Sequence, residues 1–146
     1  MIEPVRPTHI LVPTDFSPGA EAALGWARSL GAAFQAEVIL LHVADGWVAR
    51  NIEQLNLRES EEMKEDRAYL ERVCEELRAA GVEADAVLAA GDPAKEIAAA
   101  AEREQCDLIA MSTHGHRLLE DVVRGSTATA LRHITRIPVL MVRAGS

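Results

Sequence analysis

The chain has 146 residues, of which 49% are apolar and only 3% aromatic, and it carries a formal net charge of −8. That length suits a single domain, 1–146, with a sizeable core, and such apolar content excludes a disordered chain. The acidic balance argues against nucleic acid and an anionic membrane surface as partners, and no apolar run reaches membrane-spanning length or forms the core of a signal peptide.

Strand and helix patterns alternate along the chain. His9 to Thr14 is a short apolar strand. Ser17-Pro18 then supplies an N-cap and a first-turn proline, and Ala20, Ala23, Leu24, Ala27 and Leu30 follow at helical spacing up to a stop at Gly31. Val38 to Val43 reads as a second, buried strand, and residues 45–58 have no clear pattern. From about Glu59 a charged helix carries Met63, Leu70, Val73, Leu77 and Ala80 on one stripe and ends at Gly81.

The third strand, Val82 to Leu88, alternates apolar and acidic residues through Asp85, as a half-exposed edge strand does. Gly91-Asp92-Pro93 caps a third helix with Ile97 and Ala101 inward. Leu108 to Met111 is the fourth strand, and a fourth helix begins at Ser126. Ile137 to Val142 is the fifth strand, and Pro138 marks it as another edge.

Alternating strands and helices predict an α/β fold, an open five-stranded parallel sheet with helices on both faces. With strands three and five as edges, the order is 3-2-1-4-5. The winding then reverses between strands one and four, and open α/β sheets bind ligands at that switch point, beyond the carboxyl ends of the strands. Those ends are Pro13-Thr14-Asp15 and Met111-Ser112-Thr113.

A glycine loop springs from the same place. Gly115 and Gly125 are separated by nine residues, and Ser126-Thr127 opens the following helix. A helix N-terminus offers free N–H groups and the positive end of its dipole, glycine admits a phosphate to the backbone, and the two hydroxyls add donors. The same spacing also suits a mobile loop with a helix cap; its position at the switch point favours the ligand.

These residues together resemble the universal stress protein family. The resemblance rests on Ile10-Leu-Val-Pro-Thr-Asp15-Phe-Ser17, Leu41-His-Val43, Ser112-Thr-His-Gly115, Gly125-Ser126 and Ile137-Pro-Val-Leu-Met-Val142, and it covers nearly the whole chain. The nucleotide-binding branch of that family has Gly, two residues, Gly, nine residues, then Gly followed by Ser or Thr. Ser112 stands here in place of the first glycine, where a side chain could crowd the ligand or force a different local backbone.

The resemblance implies ATP, with or without Mg2+, as ligand. It places Asp15 on the ribose, lines the adenine slot with Pro13, Thr14 and Val43, and packs Met111 on the base. Ser112, His114, Gly115, Gly125, Ser126 and Thr127 fall to the phosphate loop. It further implies a homodimer through the last strand and an unidentified protein effector; the composition, with two cysteines and no membrane-spanning run, reads as that of a soluble cytoplasmic protein.

Each assignment has a plainer counterpart. Asp15 also serves as a turn residue, Val43 as a strand end, Met111 as core, and Arg117 and Arg124 as exposed charges rather than phosphate ligands. His114 and His116 form a His-Gly-His triplet without a carboxylate or cysteine at metal-ligand spacing. His9, His42 and His133 show no partner pattern and read as structural. Cys74 and Cys106 lie in apolar-patterned segments, as core residues do, and imply no disulfide framework.

Three function classes follow. The first is a non-catalytic, or at most slowly hydrolytic, ATP-binding stress or signalling module. The second is an enzyme on this fold. Against it stands the absence from the sequence of a Gly-x-x-x-x-Gly-Lys-Ser/Thr loop, a Ser-Gly-Gly loop after the first strand and a His-Ile-Gly-His motif. The third is a dimeric protein–protein module without nucleotide, which Ser112 favours.

Overall fold

The structure, a computed structural model, describes residues 1–14, 20–44, 64–113 and 127–143. In chain order these form β1 (His9–Pro13), α1 (Ala20–Phe34), β2 (Glu37–Ala44), α2 (64–79), β3 (Ala84–Ala90), α3 (Pro93–Arg103), β4 (Leu108–Thr113), α4 (127–134) and β5 (Val139–Arg143). The five strands form one parallel sheet in the order β3-β2-β1-β4-β5, as the edge signatures predict.

Side-chain alternation along the strands builds two cores. Ile10, Val12, Val38, Leu40 and Ala110 face Ala23, Ala27, Leu70, Cys74 and Leu77 of α1 and α2. Leu11, Ile39, Leu41 and Ile109 face Ala94, Ile97, Ala100, Ala101 and Leu131 of α3 and α4. The small residues of α1 and α3 let both helices lie close to the sheet. Burial pushes the Cys74 thiol up to about 11 and the Cys106 thiol to about 12, so both stay protonated and act as core residues.

Three helices end by one device. In α2 the Val82 N–H reaches back to the Leu77 carbonyl and the Gly81 N–H to that of Arg78, with Gly81 at φ 87°. In α3 the Cys106 N–H reaches Ala101 and the Gln105 N–H reaches Glu102, with Gln105 at φ 57°. In α1 the Ala36 N–H reaches the Gly31 carbonyl, with Gln35 at φ 56°.

The expected stop at Gly31 is therefore corrected, because α1 runs on to Phe34. Gly31 is instead a point of close approach. A Cβ there would stand 2.9 Å from Val82 Cγ1 and 3.2 Å from the Ala36 carbonyl oxygen. Val82 closes α2 rather than opening the third strand, which begins at Ala84. Pro138 precedes β5 and gives its carbonyl to the Ile109 N–H. The α3 cap is as expected, with Pro93 at the first turn and Asp92 accepting from the Lys95 N–H at 3.2 Å. Ser17, Pro18 and residues 45–63 lie outside the described residues.

Candidate functional site

The two central strands part at their carboxyl ends. β1 pairs with β2 through Pro13↔Leu41, but its register with β4 is Ile10↔Leu108 and Leu11↔Ile109. β1 continues to Pro13 and β4 to Thr113 without pairing to each other further. The opening lies at the switch point, where neighbouring crossovers leave on opposite faces.

Alternation divides the residues at this opening between two sides. Val43 and Met111 are half-buried and pack against the core under α3 and α4. Pro13, two residues after Leu11, points to that same side and is also half-buried. Thr127, half-buried, starts the described part of α4. An apolar wall of Pro13, Val43 and Met111 thus stands at the strand ends on the face that α4 covers. Such a wall suits the flat apolar face of a base.

Ser112 turns the other way. The Ala23 N–H, in the first turn of α1, donates to Ser112 Oγ at 2.9 Å. A hydroxyl that accepts from a first-turn N–H does the work of a cap, here from another strand. The side chain is therefore directed at α1, away from the Val43 and Met111 side.

Thr14 is 7% exposed, and its N–H donates to the Leu41 carbonyl at 2.8 Å. Its own carbonyl accepts from His42 Nδ1 at 3.1 Å. His42 Nε2 lies 3.5 Å from Asp66 Oδ2 in the first described turn of α2. This network was not legible in the sequence, where His42 shows no partner pattern. One signal was available, since His42 is the polar residue inside the otherwise apolar run from Val38 to Val43. Its partner on α2 is set by packing, not spacing. His9, likewise read as structural, has Nδ1 3.0 Å from Thr8 Oγ1 at the opposite end of the sheet.

Asp15, His114, Gly115, Gly125 and Ser126, with His116, Arg117 and Arg124, lie outside the described residues. Among the described residues no group of three or more His, Cys, Asp or Glu is placed to hold a metal, and no helix is long and apolar enough to cross a membrane.

A family model, the universal stress protein family, matches residues 7–143. Universal stress protein MJ0577 of Methanocaldococcus jannaschii is 30% identical, with 92% of this chain and 93% of that protein aligned. The solved structure of MJ0577 superposes with a TM-score of 0.83 at 32% identity, over 97% of this chain and 99% of that one. A universal stress protein from Archaeoglobus fulgidus, solved in complex with dAMP, shares the fold with a TM-score of 0.68 at 20% identity, over 92% and 97% of the two chains. The chain belongs to the universal stress protein family.

Proposed function

We propose that this universal stress protein binds an adenine nucleotide, ATP, at the carboxyl ends of β1, β2 and β4 and serves as a non-catalytic stress-response or signalling module. The observation that carries the reading is the parting of β1 from β4 beside the apolar wall of Pro13, Val43 and Met111. That opening gives a base an apolar slot, and Thr127, the first described residue of α4, would supply a hydroxyl for phosphate. A fold relative is known with dAMP, so the architecture accommodates an adenine nucleotide.

In this reading Asp15 accepts from the ribose hydroxyls. His114, Gly115, Gly125, Ser126 and Thr127 take the phosphates, with Mg2+ neutralising part of their charge. Thr14 contributes through its backbone at the rim of the slot. Ser112 holds α1 and leaves the ligand free, so its serine is compatible with binding.

Calorimetric titration with ATP is the test. A hydrogen bond to a charged group contributes about 1.5–3 kcal/mol, so Asp15→Ala should weaken binding by roughly 10- to 150-fold. Gly125→Val should weaken it at least as much, because a β-branched side chain would stand where phosphate meets the helix. Mass spectrometry of the denatured, purified protein should find a co-purified nucleotide. If the wild type takes up no ATP even at millimolar concentration, the chain is instead a protein–protein module without nucleotide.

A further inference from the structure

α1 and α2 cover one face of the sheet, over the core of Ile10, Val38 and Leu40. Between their outer sides runs a groove of about 830 Å3. The apolar wall of Pro13, Val43 and Met111 stands on the other face, and none of those residues lines the groove. Its occupant is therefore independent of the nucleotide reading.

The floor of the groove is apolar, with Leu24 of α1 and Val73 and Leu77 of α2 reaching it from the core. The rims are charged and exposed. Glu21 and Arg28, about two turns apart, line it on α1, and Arg72, Glu75 and Glu76 line it on α2. Among the described residues none of these five charges is in an ion pair. Arg72 instead lies 5.8 Å from the centroid of the Tyr69 ring.

Gly25 belongs to the same lining. A Cβ added there would meet nothing within 4 Å. Glycine inside a helix is less stable than alanine, and no contact requires it at this point. What the missing side chain supplies is room, about one turn before Arg28 on the groove side of α1.

The pattern selects the occupant. An apolar floor between charged rims at helical-turn spacing is the surface that two helices present to a third. α1 and α2 each join neighbouring strands of a parallel sheet, so they run in the same direction. Along it the α1 rim changes from acidic to basic, and the α2 rim from basic to acidic. A ligand of one sign, such as nucleic acid or an anionic lipid surface, meets the three glutamates as well as the two arginines. A helix with both signs on its flanks pairs with all five.

We propose that the α1–α2 groove docks an amphipathic helix of a protein partner. The apolar stripe of that helix lies on Leu24, Val73 and Leu77. Its flank beside α1 carries a basic residue for Glu21 and, about two turns on, an acidic one for Arg28. Its flank beside α2 carries an acidic residue for Arg72, followed by a basic one for Glu75 and Glu76.

The probe is a synthetic helix of about 18 residues, held helical by lactam bridges, with a leucine stripe and its Lys and Glu in that order. Fluorescence anisotropy with the full chain should give a dissociation constant in the micromolar range, as for a small transient interface. A second peptide with every Lys and Glu exchanged keeps the composition. It should bind at least about tenfold more weakly, because several partly exposed pairs, each contributing about two- to fivefold, become repulsive. Gly25→Leu fills the groove and should weaken the first peptide at least about tenfold without lowering the thermal midpoint. Arg28→Glu should weaken the first peptide about two- to fivefold, and a lysine in the peptide at the facing position should restore binding.

No binding of the first peptide at millimolar concentration overturns the proposal. So does equal binding of the two peptides, or a first peptide indifferent to both Gly25→Leu and Arg28→Glu. Phosphatidylserine vesicles that bind the chain where the peptide does not would give the groove to a lipid surface and overturn it equally. The two peptides are compared on the wild-type chain, so that result decides even if a variant fails to fold.

Discussion

Ser112 is where one residue changes the meaning of a motif. At the position of the first glycine, a side chain could be read as an obstacle to a ligand. Its hydroxyl is instead engaged by the Ala23 N–H at 2.9 Å. Ser112→Ala leaves that N–H without this acceptor, and a hydrogen bond of this kind contributes about 0.5–1.5 kcal/mol. Urea denaturation should therefore show a loss of about 1 kcal/mol, while ATP affinity in a parallel titration moves by less than about twofold. A gain in affinity without loss of stability would mean that the serine does crowd the ligand.

Asp107 makes a comparable tie at the other end of the sheet. Its carboxylate accepts from the Thr8 N–H at 3.0 and 2.9 Å, from Thr8 Oγ1 at 2.8 Å and from the His9 N–H at 3.2 Å. Burial pushes its pKa up, but the hydrogen bonds from Thr8 and His9 outweigh that and hold it below the ordinary carboxylate value. A depressed folded-state pKa stabilises the fold at pH values above the unfolded pKa of about 3.9, and the contribution is lost as pH falls through the folded value. Asp107→Ala should cost about 1–2 kcal/mol at pH 7, the low part of the range for charged hydrogen bonds because the site is partly solvated. Denaturant midpoints of wild type and variant should converge as pH is lowered from 5 towards 2, in roughly the interval where an acceptor carboxylate gains its proton.

At the scale of elements, the helix ends explain what could be read from sequence and what could not. Gly81 announced the end of α2, because a left-handed φ favours glycine. Gln35 and Gln105 take the same conformation without announcing it. Each tolerates a strain of about 1–2 kcal/mol because a buried small or apolar residue follows and pins the turn: Ala36 and Cys106, as Val82 does after Gly81. The order of the strands was legible, since Asp85 and Pro138 mark edges by local chemistry. The apolar side of the crevice was legible too, because Pro13, Val43 and Met111 end apolar runs. The His42–Asp66 and Ser112–Ala23 contacts were not, because each joins residues far apart in the chain whose meeting depends on how helices settle on the sheet.

The two described glycines of α1 allow a sharp test of the same reasoning. Gly25 has nothing within 4 Å of an added Cβ, whereas at Gly31 that Cβ meets Val82 Cγ1 at 2.9 Å and Val38 Cγ2 at 3.3 Å. Alanine is favoured over glycine in a helix by about 0.8–1 kcal/mol. Gly25→Ala should therefore stabilise the protein by about that amount. At Gly31 overpacking of about 1–3 kcal/mol outweighs the helical gain, so Gly31→Ala should be net destabilising. Thermal midpoints moving in opposite directions for the two variants are the expected result; a common direction would mean that propensity alone governs α1.

For the molecule as a whole, the two edges of the sheet differ. On β3 the Arg78 guanidinium donates twice to the Ala84 carbonyl, at 3.1 Å from Nε and 2.7 Å from Nη2. The Val38 N–H takes the Glu83 carbonyl, so by alternation Ala84 aims its backbone away from β2, and Arg78 covers the open edge there. On β5 the Ile109 N–H takes the Pro138 carbonyl, so Val139 and Met141 aim their backbone groups outward. Met141 is also 37% exposed. An edge that combines outward N–H groups with an exposed methionine invites a second strand, and a two-fold axis would let a second copy supply it. We therefore expect a homodimer through β5, with sedimentation at micromolar concentration giving twice the chain mass. Met141→Pro removes an outward N–H without touching the ladder to β4, and Met141→Lys sets a charge on the same edge. Both should sediment as monomers with the helical signal of the wild type. A wild type that is monomeric at micromolar concentration, or a dimer indifferent to both substitutions, would place the interface elsewhere or nowhere.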